Sequence, residues 1–172
     1  MPELLVMRHA KSDWRANAQD DRLRPLNTRG VQAAQAVGQI LRLARRIPDL
    51  VLTSPAVRAA TTVDMAVEAG EWGSLVETAD ILYGASPGHV IDLLRGVEEA
   101  ERVAVVGHEP TSSALVSVLV GGGAVRMPTA AVASIEVPVW PGVGPGCGRL
   151  NWLLIPRLFT DGDFDLSGPE LP

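Results

Sequence analysis

Apolar residues follow two rhythms along this chain: short unbroken runs, and longer stretches in which they recur at helical spacing. Residues 4–7, 49–53 and 102–107 are runs bounded by polar positions, the form of strands buried on both faces, and 75–78 is a further short strand. Helical stretches lie between them. Thr28 can cap a helix running to Ile47, with Val31, Ala34, Val37, Leu41 and Ala44 on one stripe facing a sheet and Pro48 as its stop. Ser54 and Pro55 read as N-cap and first residue of a helix ending near Gly70. Ser86 and Pro87 start another helix through Leu94, and a fourth covers 111–120, closed by Gly121, Gly122 and Gly123.

Strands alternating with helices predict a three-layer α/β/α domain with a mostly parallel central sheet flanked by helices. Residues 131–137 and 150–155 are late strands joined without room for a helix, so this end of the sheet should be antiparallel. Their connection, 138–148, contains GVGPGCG, which lacks the lysine and hydroxyl of a phosphate-cradling loop and precedes no helix; it reads as a hairpin loop. Residues 11–27 show neither period and should form a loop over the end of the first strand, with Trp14 packing that loop down.

Length and composition narrow the picture. A chain of 172 residues fits one domain, here 1–157, followed by an acidic, mobile tail, 158–172, in which Asp161, Asp163, Asp165 and Glu170 are the only charges. Hydrophobic content of 47% with 20% charge argues against general disorder, and no apolar run approaches the length of a membrane span. Glu3 stands where a signal peptide would carry positive charge, so a cytoplasmic location is expected. A net charge of −5 argues against a broad nucleic-acid face; any anion must be held by a local group of cations. Cys147 is the only cysteine, and His9, His89 and His108 lack helical ligand spacing, so neither a metal nor another cofactor is expected. His89, in a first helical turn, reads as a surface residue.

The candidate chemistry sits at strand ends. Arg8 and His9 close the first strand, Arg58 falls in the first helical turn after the second, and His108 follows the RVAVVG strand. In a parallel sheet these carboxyl ends share one edge, so the four side chains converge on one crevice. Taken singly, each could be a solvated arginine or a satisfied loop histidine. Together, two planar cationic forks and an imidazole beside a helix N-terminus suit a dianion, and a neutral second imidazole offers a nitrogen nucleophile.

The chain also resembles the histidine phosphatase superfamily, the phosphoglycerate mutase-like proteins, and most closely its SixA-like phosphohistidine phosphatase branch. The matching segments are LLVMRHAKSDW at 4–14, RPLNTRG at 24–30, TSPAVRAATT at 53–62, LYGAS at 82–86 and VVGHEP at 105–110. The resemblance implies a phosphoglycerate mutase-like fold, His9 as the nucleophile that becomes phosphorylated, and Arg8, Arg58 and His108 as binders of the phosphoryl group. Lys11 and Ser12 follow the small-branch pattern and join the substrate-binding candidates, with their roles open. Many larger relatives carry an acidic proton donor after the third strand; here that region reads ETADILYGAS, with Asp80 the nearest carboxylate, Glu77 the next, and Asp13 a weaker candidate.

The mechanism so implied has His9 attack phosphorus and water then attack the phosphohistidine, without a metal. His9 must be neutral, its other ring nitrogen donating to a backbone carbonyl. Its partner would be a phosphohistidine-bearing protein or a small phosphorylated substrate, with neither nucleic acid nor membrane. Two alternatives remain: a small-molecule phosphomonoesterase or mutase using the same pocket, and a non-catalytic phosphoprotein-binding module.

Overall fold

Strand β1 (Glu3–Arg8) is apolar throughout its middle because both of its faces are covered. Leu4 and Val6 join one hydrophobic cluster, and Leu5 and Met7 join the other. Strand β4 (Arg102–Gly107) lies parallel beside it and repeats the alternation, with Val103 and Val105 on the first side and Ala104 and Val106 on the second. Each such valine or leucine taken out of water stabilises the fold by about 1.5–3 kcal/mol before chain entropy is set against it. The computed structural model that shows this describes residues 1–16 and 19–160.

Helices α1 (Thr28–Leu43) and α2 (Val57–Gly70) cover the second side through Ala34, Val37, Leu41, Ala59, Val63 and Ala66. Helices α3 (Pro87–Arg95) and α4 (Thr111–Leu119) cover the first through Val90, Ile91, Leu94, Leu115, Val116 and Leu119. With β2 (Leu50–Thr53), β3 (Leu75–Thr78), β5 (Val132–Glu136) and β6 (Arg149–Leu154), the sheet order is β3-β2-β4-β1-β5-β6. The expected α/β/α layering holds, but the sheet is mixed where a mostly parallel one was expected. Parallel ladders join β3, β2, β4 and β1; beyond α4 the chain supplies no crossover helix, so β5 and β6 attach antiparallel.

Several boundaries differ from the sequence expectation. Helix α1 stops at Leu43, short of Ile47, because Arg45 adopts a left-handed φ of 56° and the Arg46 N–H closes back on the Leu41 carbonyl at 2.7 Å. Its cap is Asn27, which precedes Thr28 and whose side chain accepts from the Gly30 N–H at 2.8 Å. Ala44 on the expected stripe is exposed. Helix α2 begins at Val57, after Ser54 and Pro55. The tail expected from 158 is interrupted at once by a short helix, α5 (Arg157–Thr160), beside α1; its remainder, 161–172, lies outside the described residues.

This topology fixes where a site can form. From β1 the chain leads to α1 on one face, and from the adjacent β4 it leads to α4 on the other. The two connections diverge and leave a crevice between the carboxyl ends of β1 and β4, the usual ligand position of an open α/β sheet. Arg8 and His9 come from one side of it and His108 from the other.

Candidate active site

The turn after β1 is clamped on three sides. The His9 N–H bonds the Gly107 carbonyl at 2.9 Å, the Ala10 N–H bonds Thr62 Oγ1 of α2 at 2.9 Å, and the Asn27 N–H bonds the Lys11 carbonyl at 2.9 Å. His9 is therefore fixed by neighbours on β4, α2 and the cap of α1. It is 8% exposed, and its Nδ1–H donates to the Ala10 carbonyl at 2.6 Å, which leaves Nε2 with the lone pair. That is the tautomer a nitrogen nucleophile needs.

The ring of His108 stands 5.1 Å from that of His9, centroid to centroid. Its Nε2 lies 2.7 Å from Ser54 Oγ, in a hydrogen bond whose direction follows the ring's tautomer. Both imidazoles are held neutral. Burial pushes His9 down to about 3, with His108, Arg58 and Arg8 adding to the effect against the Ala10 hydrogen bond. Burial and then Arg58 push His108 down to about 4.

Three guanidinium groups surround the imidazoles. Arg8 Nη1 donates to the Met127 carbonyl at 2.9 Å. Arg58, 5% exposed, donates from Nη1 and Nη2 to the carbonyl and carboxylate of Asp21 at 2.7 and 2.9 Å. Arg24, 9% exposed, reaches Ser12 Oγ and the other Asp21 oxygen, each at 2.7 Å. Asp21 thus braces two arginines and also accepts from the Tyr83 hydroxyl at 3.1 Å. Burial alone would raise its pKa; the bonds to Arg24 and Arg58 outweigh that and hold it below the usual carboxylate range.

Four buried side-chain nitrogens make no hydrogen bond to the protein among the described residues: Arg8 Nε, Arg24 Nε, Arg58 Nε and His108 Nδ1. All four belong to residues lining one open cavity of about 470 Å³, which His9 also lines. Leaving such groups unpaired costs about 1–3 kcal/mol each, more for charged ones, so their concentration here marks a surface complementary to an anion. Among the described residues no three His, Cys, Asp or Glu side chains cluster as a metal site would require.

The structure brings Arg8, His9, Lys11, Ser12, Arg58 and His108 to this cavity. Ser12 is buried and holds Arg24 in place. Asp80 is exposed at the start of a 3₁₀ turn, Glu77 is exposed on β3, and neither lines the cavity, nor does Asp13. The carboxylate that does is Glu109, whose Oε1 accepts from Ser113 Oγ at 2.6 Å. Trp14 does not pack the loop down: it is 79% exposed, with the Arg24 guanidinium 3.6 Å over its ring. His89 is exposed as expected and completes the capping box of α3 with Ser86.

Sequence reasoning missed Arg24, Asp21, Ser54, Thr62 and Glu109. The signal for Arg24, Ser54, Thr62 and Glu109 was present, since all four fall in the segments quoted for the resemblance; Asp21 lies in an aperiodic loop and carries none.

Comparison with known proteins agrees with this geometry. Residues 4–83 match the family model of the histidine phosphatase superfamily (branch 1). An uncharacterised protein of Mycobacterium tuberculosis is 37% identical over 164 residues, 88% of this chain and all of the relative. Phosphohistidine phosphatase SixA of Escherichia coli is 28% identical over 161 residues, 90% of this chain and 94% of the relative. A structure of the protein histidine phosphatase SixA complexed with tungstate superposes with a TM-score of 0.78 at 26% identity, covering 91% of this chain and 98% of that one. A buried imidazole in a crevice of arginines, on this fold and with these relatives, places the chain in the histidine phosphatase superfamily, in its SixA-like branch.

Proposed function

We propose that this chain is a metal-independent phosphatase that forms a covalent phosphohistidine on His9, and that its substrate is a phosphohistidine side chain of another protein. The observation that carries the reading is the set of buried side-chain nitrogens without partners among the described residues, the guanidinium donors Arg8 Nε, Arg24 Nε and Arg58 Nε together with His108 Nδ1, on residues that line one cavity with His9. His9 Nε2 attacks phosphorus while these donors hold the equatorial oxygens, where charge is greatest as the group transfers. The substrate imidazole leaves, water then attacks phosphorus in line with the new P–N bond from the side that imidazole vacated, and His9 regains its lone pair as that bond breaks and dihydrogen phosphate departs.

Leaving-group chemistry favours phosphohistidine over esters. An alkoxide is about as basic as hydroxide, water having a pKa of about 15.7, so alkyl ester cleavage needs a positioned acid. An imidazole protonated on its second nitrogen leaves neutral, its conjugate acid having a pKa of about 6.5. Similarity to a phosphohistidine phosphatase over most of both chains supports the same substrate class.

Glu109 favours a second reading. A carboxyl group in the cavity, bonded by the Ser113 hydroxyl, would in its protonated form donate to an ester oxygen, which would suit a small-molecule phosphomonoesterase. Comparing kcat/KM for a phosphohistidine protein, p-nitrophenyl phosphate and an alkyl phosphate separates the two, in wild type and Glu109→Gln, with and without EDTA. The proposal expects that order of preference, unchanged by EDTA, with Glu109→Gln leaving phosphohistidine turnover within a few-fold. Alkyl phosphate turned over as well as phosphohistidine, and lost selectively in Glu109→Gln, would establish the esterase instead. Loss on chelation that added metal restores would overturn metal independence.

A further inference from the structure

The buried arginines already meet the demand of one transferring phosphoryl group, yet the positive charge around the cavity continues well past them. Arg126 lines the cavity beyond Arg8, and Lys11 and Arg157 line it on the side of α5. Lys11, Pro128, Thr129 and Arg157 also line an adjoining cleft of about 280 Å³, together with Gln32 and Arg29 at the start of α1. The two form one trough.

Several cations elsewhere on the molecule are held in ion pairs. Arg42, Arg95 and Arg149 pair with Glu71, Asp92 and Glu136, and Arg46 and Arg102 share Glu3. Lys11, Arg126 and Arg157 are exposed and make no ion pair among the described residues. In a chain of net charge −5, three cations without an ion pair among the described residues thus line the mouth of the site, where Glu109 is the carboxylate that shares the cavity lining with them. Exposed cations at a rim contribute little to holding a buried phosphoryl group, but they steer and select an oppositely charged surface.

We propose that this trough binds acidic side chains flanking the phosphohistidine of the partner protein, so that the enzyme selects phosphohistidine in an acidic surface; this rests on the phosphohistidine reading above. A protein segment suits the layout better than a second phosphate of a small metabolite. The cations are spread along two joined clefts and exposed, as a run of separate carboxylates requires, and Gln32 and Thr129 offer neutral donors between them.

The test measures kcat/KM for two phosphohistidine peptides, one flanked by Asp and Glu and one by Ser and Gln, with p-nitrophenyl phosphate and a small alkyl bisphosphate alongside. Wild type should prefer the acidic peptide by about tenfold or more at low salt, mostly through KM, and the preference should shrink as salt is added. Arg126→Glu and Arg157→Glu should each remove most of it while leaving p-nitrophenyl phosphate within about twofold, a change that salt titration of the wild type checks without any variant. Equal turnover of the two peptides by wild type would overturn the inference while leaving the phosphohistidine reading intact. So would a charge preference confined to the bisphosphate, or one that survives in both variants. Hydrolysis of p-nitrophenyl phosphate but of neither peptide would overturn the phosphohistidine reading and this inference with it.

Discussion

At His9 the protein keeps a base unprotonated by making a proton unwelcome. The ring is buried, faces a second imidazole and lies among arginines, so a positive charge there would be poorly solvated and repelled. His9 at about 3 and His108 at about 4 both lie below the ordinary imidazole value of about 6.5. Between 6.5 and those values the unfolded chain binds protons that the folded chain refuses, so stability should fall as pH drops through that window and be fully present above it. Ring signals followed by NMR should show both imidazoles neutral from pH 8 to 5, with the denaturation midpoint declining below about 6.5. A titration of either ring near neutrality would contradict this. Arg58 invites a second test, because its fork donates twice to Asp21 while Nε stays unpaired. Arg58→Lys keeps charge and loses the fork, and should lower kcat/KM by about 10- to 100-fold, as losing a charged hydrogen bond of about 1.5–3 kcal/mol would. Wild-type activity in a folded Arg58→Lys protein would show that the fork is not used. Arg8, His9, Arg58 and His108 were legible in the sequence because each follows a recognisable strand. Ser54 was half read: its oxygen accepts from the Ala56 N–H at 3.3 Å just before the helix, as a Ser-Pro start suggests, but it also lies 2.7 Å from His108 Nε2.

The elements hold the site through close backbone contact. A Cβ built on Gly30 would stand 2.1 Å from the Lys11 carbonyl oxygen, and one on Gly38 would stand 2.1 Å from that of Ala66. Gly30 therefore lets the first turn of α1 lie against the turn that carries His9, and Gly38 lets α1 and α2 pack together. Gly30→Ala should push that turn away, destabilise the fold by about 1–3 kcal/mol as overpacking does, and reduce turnover beyond what the stability loss explains. Thermal denaturation and kinetics at a temperature where the variant is folded would check it; unchanged turnover would show that the contact does not position His9. Helices were the most legible elements, since α3 and α4 fall within a residue of their expected bounds. The end of α1 was not, because a left-handed arginine stopped it before the proline that the pattern pointed to. The sheet's mixed order was half legible: a connection without room for a helix foretold the antiparallel hairpin, but nothing local tells β5 to pair with β1.

Over the whole molecule, a single layered fold brings segments from both ends of the described chain to one crevice, with β1 central and Arg157 at its rim. Composition foresaw a local positive site in an acidic protein, and topology foresaw its edge of the sheet. The arginine brace could not be foreseen, because Asp21 enters from a loop with no period, two residues of which, 17 and 18, lie outside the described ones. The central claim is that the phosphoryl group passes through His9. Rapid quenching of a reaction with substrate labelled in its phosphoryl group tests it most directly. Base-stable, acid-labile label should appear on the protein within the first turnover, map to His9 and decay at the rate of phosphate release. His9→Ala, still folded by circular dichroism, should take up no label and release no phosphate. Turnover at wild-type rate with no labelled protein, or a folded His9→Ala that keeps most of its activity, would contradict the claim.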